Sequence, residues 1–270
     1  MPQAPAHPSL RGWVEPYRGY RISQVPAGVH HGLPSTGMTV VLALDEQLEV
    51  GWLGERPTRH WAMVSGLHTT PAAIHHSGFQ HGVQLAFTPA GSRALLGQPA
   101  AALAATIVPL DELLGPSATR LYDEVATART WAERFDVLDR HLRGLAVQRR
   151  DVEPVRAELA WAWQQLVRSR GRTRVAELAH ELGWSRRHLS GRFGAEFGLS
   201  PKQLTRVVRF MHARRLLPGG GLAAVAAQAG YADQSHLTRE WRELAGCTPS
   251  AWLREEFPFV QDAGQVPAAG

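Results

Sequence analysis

VAELAHELGWSRRHLSGRFGAEFGLSPKQL (residues 175–204) and VAAQAGYADQSHLTREWRELAGCTPSAW (residues 225–252) read as two copies of one pattern. Leu189 matches Leu237, Phe193 matches Trp241, Gly198 matches Gly246 and Pro201 matches Pro249, each at an offset of 48 residues. Gly183 and Gly230 are 47 apart, so the second copy holds one extra residue just after its glycine. In the first copy Val175, Leu178, Ala179 and Leu182 recur at helical spacing and share one face of a short helix. Gly183 then stops that helix, because glycine enters the left-handed conformation at little cost. Ser185 is a good N-cap for a second helix. There Leu189, Phe193 and Phe197 form an inward spine, and Arg186, Arg187, Ser190 and Arg192 face out. A plain helical bundle needs neither matched glycine turns nor basic outward faces, so the layout predicts a helix-turn-helix.

The second copy repeats it. Val225, Ala226 and Ala229 pack, Gly230 turns, Asp233 caps the next helix, and Leu237, Trp241 and Leu244 make its spine. Gln234, Ser235, Thr238 and Arg239 point away. Arginine pairs with guanine, glutamine with adenine, and serine or threonine with several base edges. Between the copies, Pro201 to Leu217 reads as one helix with Leu204, Val208, Met211 and Leu216 buried, ended by Pro218-Gly219-Gly220-Gly221. Such a helix spans about 25 Å at ~1.5 Å per residue. It would be a stiff spacer between reading helices in successive major-groove turns, which lie ~34 Å apart. Trp184 and Tyr231, beside the turn glycines, are expected to pack rather than to stack on bases.

Charge follows the repeat. Twelve Lys and Arg side chains fall between Arg168 and Arg215, opposed by Glu177, Glu181 and Glu196, whereas residues 1–150 hold 13 cations and 12 carboxylates. A concentrated basic stretch is the electrostatic footprint that nucleic acid requires. Phosphate contacts are expected from Arg174, Arg192, Lys202, Arg206 and Arg242; on the spacer, Arg206, Arg209, Arg214 and Arg215 can equally form a solvated helix face. Residues 216–270 hold three arginines against six carboxylates. The first unit is therefore expected to supply most of the salt-dependent affinity, and the second more selectivity or a contact with RNA polymerase.

Residues 172 to 254 resemble the DNA-binding domain of the AraC/XylS transcription regulators, most closely over GYADQSHLTREWRELAGCTPSAW, Gly230 to Trp252. The resemblance implies seven helices with two helix-turn-helix units on one face of DNA. It places base-reading positions at Arg187 and Ser190 in the first unit and at Gln234, Ser235, Thr238 and Arg239 in the second. Gly191 stands where that family often has arginine, which implies fewer base contacts from the first unit. Upstream, HHGLPSTGMTVVLALDE and GVQLAFTPAGSRALLG are similar to sensor domains of actinobacterial members.

The 270 residues, 44% hydrophobic and 20% charged, give room for two globular domains. The single cysteine, Cys247, has no internal disulfide partner and is expected to be a small packing residue. MPQAPAHPSLRGW lacks the pattern of a secretory signal, and Pro99 to Leu110 is too short to span a bilayer. A cytoplasmic protein with no membrane association is expected. Short β-rich runs at Tyr20–Val25, Met38–Leu44, Leu48–Leu53, Trp61–Leu67 and Val83–Phe87 predict a small β-barrel or sandwich, cupin-like in form. Helices are expected at Ser117–Thr127, Thr130–Arg149 and Pro154–Arg170, with Pro154 in the first turn.

The fold expected is α+β in two domains. Residues 1–150 form a sensor and dimerisation domain with trailing helices, 151–171 a linking helix, 172–257 the all-α DNA-binding domain, and 258–270 a flexible tail. Seven histidines, His30, His31, His60, His68, His75, His76 and His81, raise the alternative of a cupin-like metal-dependent enzyme fused to a DNA-binding tail. They lack an H-x-H pair with a suitably placed glutamate, so no metal or cofactor is assigned. The expectation is a sequence-specific transcription regulator, not an enzyme, that binds double-stranded promoter DNA; the family resemblance implies an activator. It would work with RNA polymerase and an unknown small-molecule effector, with a homodimer through residues 117–170.

Overall fold

A computed structural model of the protein describes residues 1–254. The tail expected at 258–270 lies outside the described residues. Among the described residues ten strands pair antiparallel in two sheets: β1 (Gln3–Ala4), β2 (Tyr17–Ile22), β3 (Gly28–Gly32), β4 (Met38–Leu44), β5 (Leu48–Trp52), β6 (Thr58–His60), β7 (Ala62–Ser65), β8 (Ala72–His76), β9 (Gln80–Phe87) and β10 (Ile107–Pro109). The larger sheet runs β1-β2-β9-β4-β7-β10 and the smaller β3-β8-β5-β6.

Strand β4, MTVVLAL, explains the layering. Successive side chains on a strand point to opposite faces. Val41 and Ala43 enter the core between the sheets with Tyr20, Val50 and Ile74. Met38, Val40, Leu42 and Leu44 enter the core beneath the helices. The strand is covered on both faces and reads as a continuous apolar run for that reason. The result is an open sandwich with helices over its larger sheet. The closed-barrel form of the expectation is corrected, because each sheet keeps two edge strands.

The expected strand Tyr20–Val25 is displaced to Tyr17–Ile22, because Gln24 takes a φ of 63° and turns the chain. Strands β3 (GVHHG) and β8 (AAIHH) were not expected. Their glycine, alanine and histidine carry little strand propensity. They are strands because they pair with each other, His30 opposite Ile74, with β5 on the other side of β8.

The short helices α1 (Pro89–Gly91) and α2 (Leu110–Leu114) precede α3 (Pro116–Thr127) and α4 (Trp131–Gln148). Helix α4 starts in a capping box between Thr130 and Glu133. Helix α5 covers Ala157–Arg168, so Pro154 lies in the extended lead-in rather than in the first turn as expected; the N-cap is Arg156. Then follow α6 (Val175–Glu181), α7 (Arg186–Phe197), α8 (Pro201–Leu216), α9 (Leu222–Ala229), α10 (Gln234–Ala245) and α11 (Pro249–Arg254). Residues 172–254 hold six α-helices, α6 to α11, and α5 in the segment read as the link makes a seventh.

One apolar core runs from Leu10 to Val208 and takes in the larger sheet, α3, α4, α5 and the spine of α7. The second helix-turn-helix has its own core of Phe210, Val225, Leu237, Trp241 and Leu244, joined from upstream by Leu33. Among the described residues no helix is long and apolar enough to cross a membrane.

Candidate nucleic-acid interface

The two copies fold alike down to single hydrogen bonds. After α6, Gly183 takes a φ of 67° and Trp184 N–H donates to Ala179 O at 2.8 Å. After α9, Gly230 takes 83° and Tyr231 N–H donates to Ala226 O at 2.9 Å. Ser185 Oγ then accepts from His188 N–H at 3.1 Å, and Asp233 Oδ1 from His236 N–H at 2.6 Å. The cap lies two residues beyond the glycine in the first copy and three in the second, which places the extra residue at Ala232 or beside it. Leu189 and Phe193, like Leu237 and Trp241, are fully buried. Trp184 packs against the first core with Arg156 over its ring at 5.7 Å, and Tyr231 is buried with Arg209 over its ring at 5.2 Å.

Of the residues expected to read bases, Arg186, Arg187, Gln234, Ser235 and Arg239 are exposed, while Ser190 and Thr238 are half-buried. All seven fall in the first two turns of α7 or α10, the end of a recognition helix that meets base edges. Gly191 is exposed and open, with no group within 4 Å of where a Cβ would lie.

Between the units lies an open cleft of about 660 Å³, lined by Arg172, Arg174, Lys202, Arg206, Arg209 and Arg239 against Glu240 and Glu243. Its floor is α8, whose sixteen residues span about 24 Å. The expected phosphate residues part company here. Arg174, Arg192, Lys202 and Arg242 are exposed. Arg206 is not free in the same way: its Nε lies 3.1 Å from Glu240 Oε2, and its Nη2 is paired with Glu243. Arg209 Nη2 is 3.2 Å from the same Glu240 oxygen. Arg214, counted among the surface cations of the spacer, is buried.

Among the described residues, Glu240 under Arg206 and Arg209, Glu196 against Arg93, and Arg214 are buried. Their spacing carried the signal. Glu240 stands three residues after Leu237 and one before Trp241, and Glu196 seven after Leu189, both on the apolar spine. A charge on that stripe is buried and needs a partner.

A second cavity of about 330 Å³ opens between the halves. It is lined by Thr88, Pro89 and Ala90 on one side and by Val155, Trp163, Val167 and Phe197 on the other. The histidines do not converge: among the described residues no three His, Cys, Asp or Glu side chains are grouped to hold a metal ion. His68 is buried, with Nδ1 2.6 Å from the carbonyl oxygen of Thr70, and burial pushes its pKa down to about 4. His30, beside His76, is pushed down to about 2, chiefly by burial. His81 Nδ1 lies 2.9 Å from Asp45 Oδ2. Cys247 packs against the second core.

Two glycine-turned helix pairs, each with an exposed polar N-terminal end on its second helix, define a helix-turn-helix DNA-binding domain. Residues 178–255 match the family profile described as "Helix-turn-helix domain", of the AraC type. The virulence regulon transcriptional activator VirF of Yersinia enterocolitica is 33% identical over 79 residues, which are 28% of this chain and 29% of VirF. The HTH-type transcriptional regulator ExsA of Pseudomonas aeruginosa is 30% identical over 79 residues, 28% of each chain. The chain thus spans less than a third of the length of these curated relatives. The crystal structure of ToxT from Vibrio cholerae superposes with a TM-score of 0.53 at 13% identity, covering 90% of this chain and 98% of ToxT. Another ToxT structure, described as bound to an unsaturated fatty acid, gives 0.52 at 11% identity over 90% of this chain and 95% of that one. The two-domain arrangement of sheets followed by helices is thus the ToxT fold. Over residues 178–255 the C-terminal helices of this chain are similar to the AraC-type helix-turn-helix domain.

Proposed function

We propose that the protein is a sequence-specific transcription regulator that binds promoter DNA through α7 and α10 in successive major-groove segments. The observation that carries this reading is the repeated unit itself, two capped helices with exposed polar N-terminal ends, beside a basic cleft that α8 and α10 line. Arg186, Arg187 and Ser190 read bases in one half-site, and Gln234, Ser235, Thr238 and Arg239 in the other. Arg174, Arg192, Lys202 and Arg242 hold phosphates, and Arg206 joins them only when it leaves Glu240 and Glu243.

Residues 1–150 act as the sensor, 151–171 as the link and 172–257 as the DNA-binding domain. The word activator in VirF's name supports activation, and the fatty acid bound to ToxT supports a small-molecule effector; RNA polymerase is the partner an activator needs. The 330 Å³ cavity between the halves is the place this chain offers for one. The reading includes a homodimer and a cytoplasmic location. No observation favours the cupin-like enzyme.

A salt titration of binding to a selected duplex tests the reading. Arg187→Ala should weaken binding by about 1–3 kcal/mol and relax the preference for one base pair. Gln234→Ala should cost a similar amount with little change in salt slope. Undiminished binding by both variants would sink the proposal.

A further inference from the structure

Helices α7 and α10 end in corresponding left-handed glycines, Gly198 with a φ of 73° and Gly246 with 75°. Both abut the N-terminal domain. A Cβ added at Gly198 would lie 2.1 Å from Ala104 Cβ; one at Gly246 would lie 2.7 Å from Leu53 Cδ2 and 3.2 Å from His31 Cε1. At the first anchor Arg93 grips Glu196 with two parallel bonds, Nε to Oε1 and Nη2 to Oε2, both 2.7 Å. The Glu196 side chain there is only 8% exposed, and paired guanidinium and carboxylate groups in this geometry fix orientation as well as distance. Each reading helix is thus held by its C-terminal end, while Arg187 and Gln234 stand exposed at the opposite ends.

Helix α8 alone would not fix the angle between the units. Leu204 and Val208 pack into the core of the first, and Val207, Phe210 and Ala213 into that of the second, so a rolling motion about α8 would swing one relative to the other. Two anchors on a common base close the triangle. DNA is sensitive to that angle, since one base pair moves a half-site by about 3.4 Å and about 35° around the duplex.

We propose that the N-terminal domain is a brace that sets the spacing between the two half-sites the protein accepts. Arg93 acting through Glu196, and Leu53 with His31 acting through Gly246, are its positioning residues. The proposal rests on the two-unit reading of DNA given above.

The test uses full-length protein and a pool of synthetic random-sequence duplexes. Wild type should enrich two half-site motifs at a single separation. On the enriched duplex, inserting one base pair between the motifs should weaken wild type on the order of tenfold, the size of effect a mismatched pair has. For Arg93→Ala/Leu53→Ala, which leaves both reading units unaltered in sequence, the same insertion should cost less than about threefold, with the half-site motifs unchanged. Each single variant removes one anchor and repeats the comparison with less strain on the fold. The exchanged pair Arg93→Glu/Glu196→Arg should restore the wild-type penalty, which lost stability alone would not do. A full tenfold penalty in the folded variants overturns the brace while leaving the two-unit reading intact. Enrichment of no paired motif by wild type overturns that reading, and the brace with it.

Discussion

Gly191 and Glu240 show how single side chains in this interface are decided by surroundings. Gly191 sits inside α7 with open space where a side chain would go. Glycine in a helix interior costs about 0.5–1 kcal/mol relative to alanine. Gly191→Ala should therefore raise stability by about that amount in urea unfolding; a loss would show that the position has a role that requires glycine. Glu240 is almost fully buried and pairs with Arg206 and Arg209, which line the cleft with their charge engaged. Glu240→Gln should release cationic charge toward phosphates and steepen the dependence of log K on log salt by about one. An unchanged slope would mean that the arginines stay engaged without the carboxylate. His68 makes a pH prediction. Folded, it stays neutral to about pH 4, against 6.5 for an unperturbed ring. Between those values the unfolded chain binds more protons, so stability falls as pH drops from 6.5 to 4, by on the order of 1 kcal/mol per unit. His68→Gln should flatten that part of the stability profile measured by chemical denaturation.

Among the elements, the helices of the repeat were legible and several strands were not. A helix signals itself locally: Ser185 and Asp233 cap α7 and α10 where the spacing of their spines predicted. Ser185→Ala and Asp233→Ala should each cost about 0.5–2 kcal/mol. Both should also weaken DNA binding, because each cap sits beside the first base-reading residues. A cap variant that lowers stability but leaves affinity intact would separate the two effects. Strands β3 and β8 carry no such local signal, since what makes GVHHG a strand is AAIHH opposite it. The buried Glu196 and Glu240 stood at spine positions and were readable as buried charges, but Arg93, which pairs with Glu196 from 103 residues away, was not.

At the scale of the molecule the two reading units differ more than their sequences do. The spine of α7 belongs to the continuous core that includes the β-sandwich, whereas α9 and α10 close over a core of their own. Amides of α7 should exchange with solvent only as the whole protein unfolds, and those of α9 and α10 through a separate opening of lower free energy. Trp241→Ala removes the largest fully buried side chain of the second core and should cost about 3–5 kcal/mol. It should speed exchange in α9 and α10 while leaving β4 and β9 protected. Uniform acceleration across the chain would show that the second unit does not open alone.

By itself the sequence determined the repeat, the glycine turns, the helix caps, the apolar spines and the outward polar faces. These are short-range matters, settled by backbone conformation and by periodicity within a few helical turns. Only the tertiary structure decided that the sheets stay open as a sandwich, that Arg206 is paired and Arg214 buried, and that both reading helices rest their C-terminal ends on the N-terminal domain. Those outcomes depend on which distant groups meet, and a buried charge or a crowded glycine acquires its meaning only from the group packed against it.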